Sequence, residues 1–141
     1  MKRLNTLDEL CEISHIEFMD RTADEPKPLV WRGSSKADFM AFPRTVQREM
    51  GYALFLAQMG ERHPIMAKTL AGFGGAAVVE VRESHEGNAY RAVYTVRYAD
   101  AVYVLHAFQK KSKKGVATPK PDIDLIEKRF KYLIKEKEGR R

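Results

Sequence analysis

Two β-strands in immediate succession, ending in a run of cations, constrain this chain more than any other feature. Between Ala89 and Tyr98 the residues alternate. Tyr90, Ala92, Tyr94, Val96 and Tyr98 fall on one face and Arg91, Val93, Thr95 and Arg97 on the other, the two-residue period of a strand. Val102–Gln109 is almost wholly apolar, which suits a central strand buried on both faces. The link Tyr98-Ala99-Asp100-Ala101 lacks the Asn-Gly signature of a two-residue hairpin turn. With a loop of two or four residues, Arg91 pairs with Phe108, Val93 with His106 and Thr95 with Val104. Directly paired residues point to the same face, so Arg91, His106, Phe108 and Lys110 are expected on one surface. Tyr90, Tyr94 and Tyr98 are expected on the opposite one, and a slip of one residue would destroy the arrangement. The second strand then runs into Lys110-Lys111-Ser112-Lys113-Lys114, four cations in five positions. An arginine, an imidazole and lysines in a concentrated positive field suit a partner that carries phosphates.

The charge of the whole chain is segregated in the same sense. Of a net +6, residues 1–100 contribute −1 and residues 101–141 contribute +7, a distribution that solubility alone does not require and that suits a polyanion or an acidic protein segment. At 141 residues a single domain is expected. No apolar run approaches the roughly 20 residues of a membrane span, and no signal-peptide pattern opens the chain. Cys11 is the only cysteine, which excludes an intramolecular disulfide and a cysteine-rich zinc site. A reducing cytoplasm fits this composition.

Residues 1–28 are acidic, with 4 Lys and Arg against 7 Asp and Glu, and read as an appendage to a domain spanning 29–141. Thr6-Leu7-Asp8-Glu9 is a capping-box pattern for a short helix reaching about Met19, and Thr22–Pro28 reads as a linker. Leu29–Arg32 is a strand candidate, followed by Ser34 or Ser35 as N-cap of a helix through Asp38–Phe42. Pro43 opens a second helix that reaches Met59 and stops at Gly60. One stripe of it carries Val46, Met50, Ala53 and Ala57; a second carries Tyr52, Phe55, Leu56 and Met59. Two stripes exceed what one sheet covers, so the second is expected to pack on the first helix. Leu70–Ala77, with Gly72, Gly74 and Gly75, reads as a turn before a strand at Ala77–Glu83. Asp122–Lys137 is a closing helix with Ile123, Ile126, Phe130, Leu133 and Ile134 as its buried stripe. The result is an α+β fold, an antiparallel sheet with two helices on one side and a helix at the C-terminus.

The runs Tyr90-Arg91-Ala92-Val93-Tyr94 and Val104-Leu105-His106-Ala107-Phe108-Gln109-Lys110-Lys111-Ser112-Lys113-Lys114, followed by Thr118-Pro119 and a helix, resemble the HigB-like, phage-derived branch of the RelE/ParE toxin superfamily. The resemblance covers roughly Leu29 to Lys137. It implies a RelE-like fold and the toxin of a type II toxin–antitoxin pair. It also implies a cognate helix-turn-helix antitoxin, a higher hetero-oligomer in the complex, and mRNA on the ribosome as target. Cleavage of RNA without a metal or cofactor needs a base for the 2′-hydroxyl, cations for the phosphorane and a donor for the leaving 5′-oxygen. Arg91 suits the phosphorane, its planar fork matching phosphate. Lys110 or Lys111 suits a proton-transfer role if neighbouring cations depress its pKa. His106 is the one imidazole of the constellation and a residue type suited to proton transfer, although a mid-strand histidine also reads as a buried, hydrogen-bonded one. Arg97, Lys113 and Lys114 are assigned to holding the RNA backbone.

The chain departs from relatives that carry lysines before the Arg-bearing strand, having Ser84-His85-Glu86-Gly87-Asn88 there. Relatives that use a late aromatic or acidic residue find only Tyr132 as a counterpart. Two other readings fit the same residues: a ParE-like inhibitor of DNA gyrase, and an inactive family member whose basic face holds an acidic partner.

Overall fold

The computed structural model describes residues 25–75, 77–110 and 117–139. The short helix expected in the acidic appendage and residues 22–24 of the linker lie outside them. A five-stranded sheet with strand order β1-β5-β4-β3-β2 carries helices on both faces. The elements run β1 (Leu29–Trp31), α1 (Ser35–Met40), α2 (Arg44–Gln58), β2 (Ala67–Thr69), β3 (Val78–His85), β4 (Asn88–Thr95), β5 (Val102–Lys110) and α3 (Lys120–Gly139). The α+β arrangement is the one expected, with two differences. β1 runs parallel to β5, so the sheet is mixed, and the three-residue β2 adds a fifth strand beside β3.

The alternation of β4 divides the core. Tyr90, Ala92 and Tyr94 pack under α1 and α2 with Val46, Met50 and Ala53. Val93 faces α3 with Leu105, Ile126, Phe130 and Leu133. Tyr98 departs from the expected tyrosine face: it follows the end of β4 and packs on the α3 side against Tyr103, ring centroids 6.0 Å apart. Pro43 occupies the N-cap of α2, and Gln47 Nε2 reaches back to donate to the carbonyls of Phe42 (2.8 Å) and Met40 (3.0 Å). Gly60 adopts a φ of +84° just past the C-terminus, the left-handed conformation glycine supplies at helix ends. The second stripe of α2 is not covered by α1. Tyr52 and Phe55 are 56% and 44% exposed. α1 packs instead on β5, with Phe39 in the core and Ser35 Oγ donating to the Val104 carbonyl (3.1 Å).

The β4–β5 register is Arg91 to Phe108 and Val93 to His106, as expected, but the next pairs are Tyr94 to Val104 and Thr95 to Tyr103. Leu105 therefore has no partner on β4. This is a β-bulge, one extra residue that bends the strand and re-aims its side chains. Leu105 enters the cluster under α3, and His106 emerges beside the start of that helix. No described helix is long and apolar enough to cross a membrane.

The two stripes of α2 are separable by stability. Met50→Ala, at a fully buried position, should cost about 2–5 kcal/mol. Tyr52→Ser on the exposed stripe should change stability by no more than about 0.5 kcal/mol. Urea denaturation of both variants reads the difference; comparable losses would mean that the second stripe is buried.

Candidate active site

Strands β3 and β4 pair Arg82 directly with Arg91, and Glu80 with Val93. Like charges placed opposite each other on a sheet repel, and Glu80 offsets this. Its Oε1 accepts a hydrogen bond from Arg82 Nε (2.9 Å) and lies 3.6 Å from Arg91 Nη1. Its Oε2 accepts from Thr118 Oγ1 at 2.7 Å. Glu80 is 1% exposed and Arg91 4%, so a carboxylate and a guanidinium are buried together. Burial pushes the Arg91 pKa below its ordinary value; Glu80 pulls it back and Arg82 adds to the drop. It remains a cation, as arginine does throughout the accessible pH range.

The facing strand adds His106, Phe108 and Lys110, paired with Val93, Arg91 and Ala89. Alternation puts all three on the α3 side of the sheet with Arg91. His106 stacks on Phe108, ring centroids 4.8 Å apart and 19° from parallel. Its Nε2 is 2.8 Å from Asp122 Oδ1, in the first turn of α3. Its Nδ1 is buried and has no hydrogen-bond partner among the described residues. Thr118 and Pro119 deliver the chain to this point. The amides of Asp122 and Ile123 bond the Pro119 carbonyl (3.1 and 3.0 Å), so the helix starts with Asp122 against the imidazole and Thr118 against Glu80. An acidic residue there also complements the positive end of the helix dipole.

β1 covers β5 only from Val102 to Val104. Beyond that, a cavity of about 560 Å³ opens at the uncovered edge, lined by Asp38, Phe42, Tyr90, His106, Phe108 and Gln109 among others. The site thus combines Arg82, Arg91 and Lys110 with Glu80 and Asp122, three cations against two carboxylates, around an imidazole at the wall of a cleft. Of these groups only His106 lines the cleft, while Arg91 and Lys110 are buried; cations next to an imidazole are groups that can offset the charge of a phosphorane and move a proton.

Of the residues assigned from the sequence, Arg91, His106 and Lys110 share one face. Arg97 does not join them. It follows the other end of β4, exposed, with its guanidinium 5.8 Å from the Tyr98 ring centroid. Lys111, Lys113 and Lys114 lie outside the described residues. The sequence pattern does not assign four residues of the site: Glu80, Arg82, Thr118 and Asp122. The signal for Glu80 was an acid inside the apolar run Val78-Val79-Glu80-Val81, since a buried charge must have a partner.

The family described as "Phage derived protein Gp49-like (DUF891)" matches residues 37–131, and the chain belongs to it. No match is found among curated proteins. Among solved structures, the toxin–antitoxin complex RelBE2 from Mycobacterium tuberculosis is similar over 62% of this chain and 94% of that chain. The identity is 16% and the TM-score 0.42, too loose a likeness to carry an argument.

Removing the Glu80 carboxylate strands a buried guanidinium, so Glu80→Ala should lose about 3–5 kcal/mol of stability in urea denaturation. Glu80→Gln, which keeps an acceptor for Arg82 or Thr118, should lose less. A cost below about 1 kcal/mol for the alanine variant would mean that Glu80 does not neutralise Arg91.

Proposed function

We propose that this Gp49-like protein is the toxin of a type II toxin–antitoxin pair and acts in the cytoplasm as a metal-independent endoribonuclease on ribosome-bound mRNA. One observation carries the reading. Arg91, His106 and Lys110, from neighbouring strands, share the face that the start of α3 furnishes with Asp122. The sequence resemblance to HigB-like toxins supports the same conclusion independently, and a helix-turn-helix antitoxin is the partner it implies.

In the proposed reaction the ribose 2′-oxygen attacks the adjacent phosphorus. The bond from phosphorus to the 5′-oxygen breaks, leaving a 2′,3′-cyclic phosphate and a 5′-hydroxyl. Asp122 fixes the His106 imidazole through Nε2, and the imidazole is assigned to taking up the 2′-hydroxyl proton. A positioned carboxylate orients an imidazole in this way in serine hydrolases. Arg91, anchored by Glu80, supplies positive potential in a site from which water is largely excluded, where charge counts for more than in solvent. Lys110, and with it Lys111, is assigned to the leaving 5′-oxygen. Lys113 and Lys114 hold the flanking backbone.

His106→Gln preserves a hydrogen bond to Asp122 but removes the base. It should lower cleavage of ribosome-bound transcripts by about 10²–10⁴-fold with an unchanged unfolding midpoint. The paired change Lys110→Ala, Lys111→Ala should abolish growth arrest while antitoxin binding stays measurable. Primer extension on cellular mRNA after induction reads the target: codon-phased cuts support the nuclease. Intact transcripts with an SOS response would replace it with a gyrase inhibitor, and full activity of His106→Gln would remove the imidazole from the mechanism.

A further inference from the structure

A second concave surface lies on the far side of α3 from β4, where that helix faces the end of β1. It encloses about 630 Å³. Five of its nine lining residues are cations: Arg32, Lys128, Arg129, Lys131 and Lys135. No lining residue is acidic. The nearest carboxylate shown in contact with one of them, Glu136, is bound to Arg32 at 2.6 Å, and Glu127 reaches Lys131 only at 3.9 Å. Leu125, Lys128, Arg129, Tyr132 and Lys135 fall at helical spacing on one stripe of α3. Its other stripe, with Ile126, Phe130 and Leu133, is spent on the core. Apart from Arg129, which bonds the Leu105 carbonyl, the polar residues of the outer stripe are therefore not dictated by core packing.

Two details mark this groove as built. Arg129 is fixed rather than waving in solvent: Nη1 donates to the Leu105 carbonyl (2.8 Å) and Nη2 to Ser34 Oγ (3.1 Å). It lies so close over Gly33 that a Cβ there would come within 2.6 Å of its Cζ, and Gly33 has a φ of +57°. Only glycine leaves room for the guanidinium in that pose. Tyr132 projects from the wall 66% exposed, with Arg32 Cζ 6.0 Å from its ring centroid. A large aromatic ring exposed beside cations offers a surface on which a planar group can stack.

We infer that this groove is a binding track for single-stranded nucleic acid, separate from the candidate active site. Cations along a wall with an exposed aromatic face are what sequence-tolerant single-strand binding uses: the charges follow the backbone and the ring stacks a base. An acidic helix would satisfy the cations too; the exposed Tyr132 ring beside them is what favours a strand whose bases can stack. The groove and the site lie near one another along α3. Leu125 is one helical turn from Asp122, and from Asp122 to Lys135 the helix rises about 20 Å, enough to engage several nucleotides flanking the reacting one. Only the choice of RNA as the natural strand rests on the nuclease reading; the affinity of the groove does not.

The test is fluorescence anisotropy of the purified full chain with a labelled 2′-O-methyl RNA dodecamer, which has no 2′-hydroxyl to react and so reports binding alone. Tyr132→Ala should weaken binding by about tenfold, one stacked base being lost. Lys131→Gln with Lys135→Gln should lower the magnitude of the slope of log K against log salt by about 1.4, two single-strand phosphate contacts being removed. All three positions are exposed, so unfolding midpoints should not move. Wild-type affinity and salt slope in both variants would overturn the track. So would competition by polyglutamate as effective, charge for charge, as by unlabelled oligonucleotide, which would assign the groove to an acidic protein. Binding that behaves as expected in a protein that leaves ribosome-bound mRNA intact would keep the track and discard the nuclease.

Discussion

The buried carboxylate of Glu80 is the constraint on which the functional end of the molecule depends. An ionised group taken out of water costs several kcal/mol unless partners replace its hydration. Here they come from three places in the chain: Arg82 on the same strand, Arg91 on the next, and Thr118 at the approach to α3. The cross-strand pairing of two arginines is tolerable only with a carboxylate between them. The same carboxylate decides where the chain after Thr118 must start its helix. A charged network thus does the positional work that apolar packing does at the other end of the sheet, under Phe130 and Leu133. Such a network is a poor source of net stability but a strict one in geometry, since removing any member leaves another buried and uncompensated.

The bulge at Leu105 is the second determinant. Without the extra residue, strict alternation along β5 could not send both Leu105 and His106 toward α3. The bulge would leave the Leu105 carbonyl unsatisfied at the point where β1 ends; Arg129 supplies its donor (2.8 Å), while Ser35 Oγ and the Arg32 amide serve the Val104 carbonyl (3.1 and 2.9 Å). The short β1 is therefore part of the design. It stops early enough to leave the edge of β5 beside His106 open, and the residues that follow it, Gly33 and Ser34, furnish the cradle in which Arg129 lies.

Much of this was legible because it rests on short-range periodicity. The alternation from Ala89 to Thr95 determines which side chains meet across the sheet, so Arg91, His106 and Lys110 could be assigned to one face before any coordinates. The buried stripes of α2 and α3 follow from their 3.6-residue period in the same way. What escaped depends on contacts between distant segments. Three residues, Ala-Lys-Thr, carry too little pattern to announce β2. The parallel pairing of β1 with β5 leaves no local trace. The alternation continues to Tyr98, but β4 ends at Thr95, whose hydroxyl accepts from the Arg97 amide (3.2 Å) and turns the chain away. That removed Arg97 from the site. The second stripe of α2 looked like core because apolar character alone does not say whether a neighbour exists to cover it.

Helix α3 joins these arguments, because it is held along its whole length by polar contacts as well as by its apolar stripe. Asp122 grips His106 at the first turn, Arg129 grips the bulge in the middle, and Glu136 and Lys137 bind Arg32 and Asp100 near the end, each at 2.6 Å. The Lys137 ammonium holds the Asp100 carboxyl below its ordinary pKa, with the Tyr103 hydroxyl helping at 2.8 Å. A helix pinned at so many points is not free to rotate. Its inner stripe must seal the core, its first turn must present a carboxylate to the imidazole, and its outer stripe must show its cations to solvent. A catalytic constellation works only when its members are fixed to within a fraction of an ångström by their surroundings. In this chain the contact that holds His106 and the cations turned to solvent come from the same helix, Asp122 at its first turn and the outer stripe beyond it.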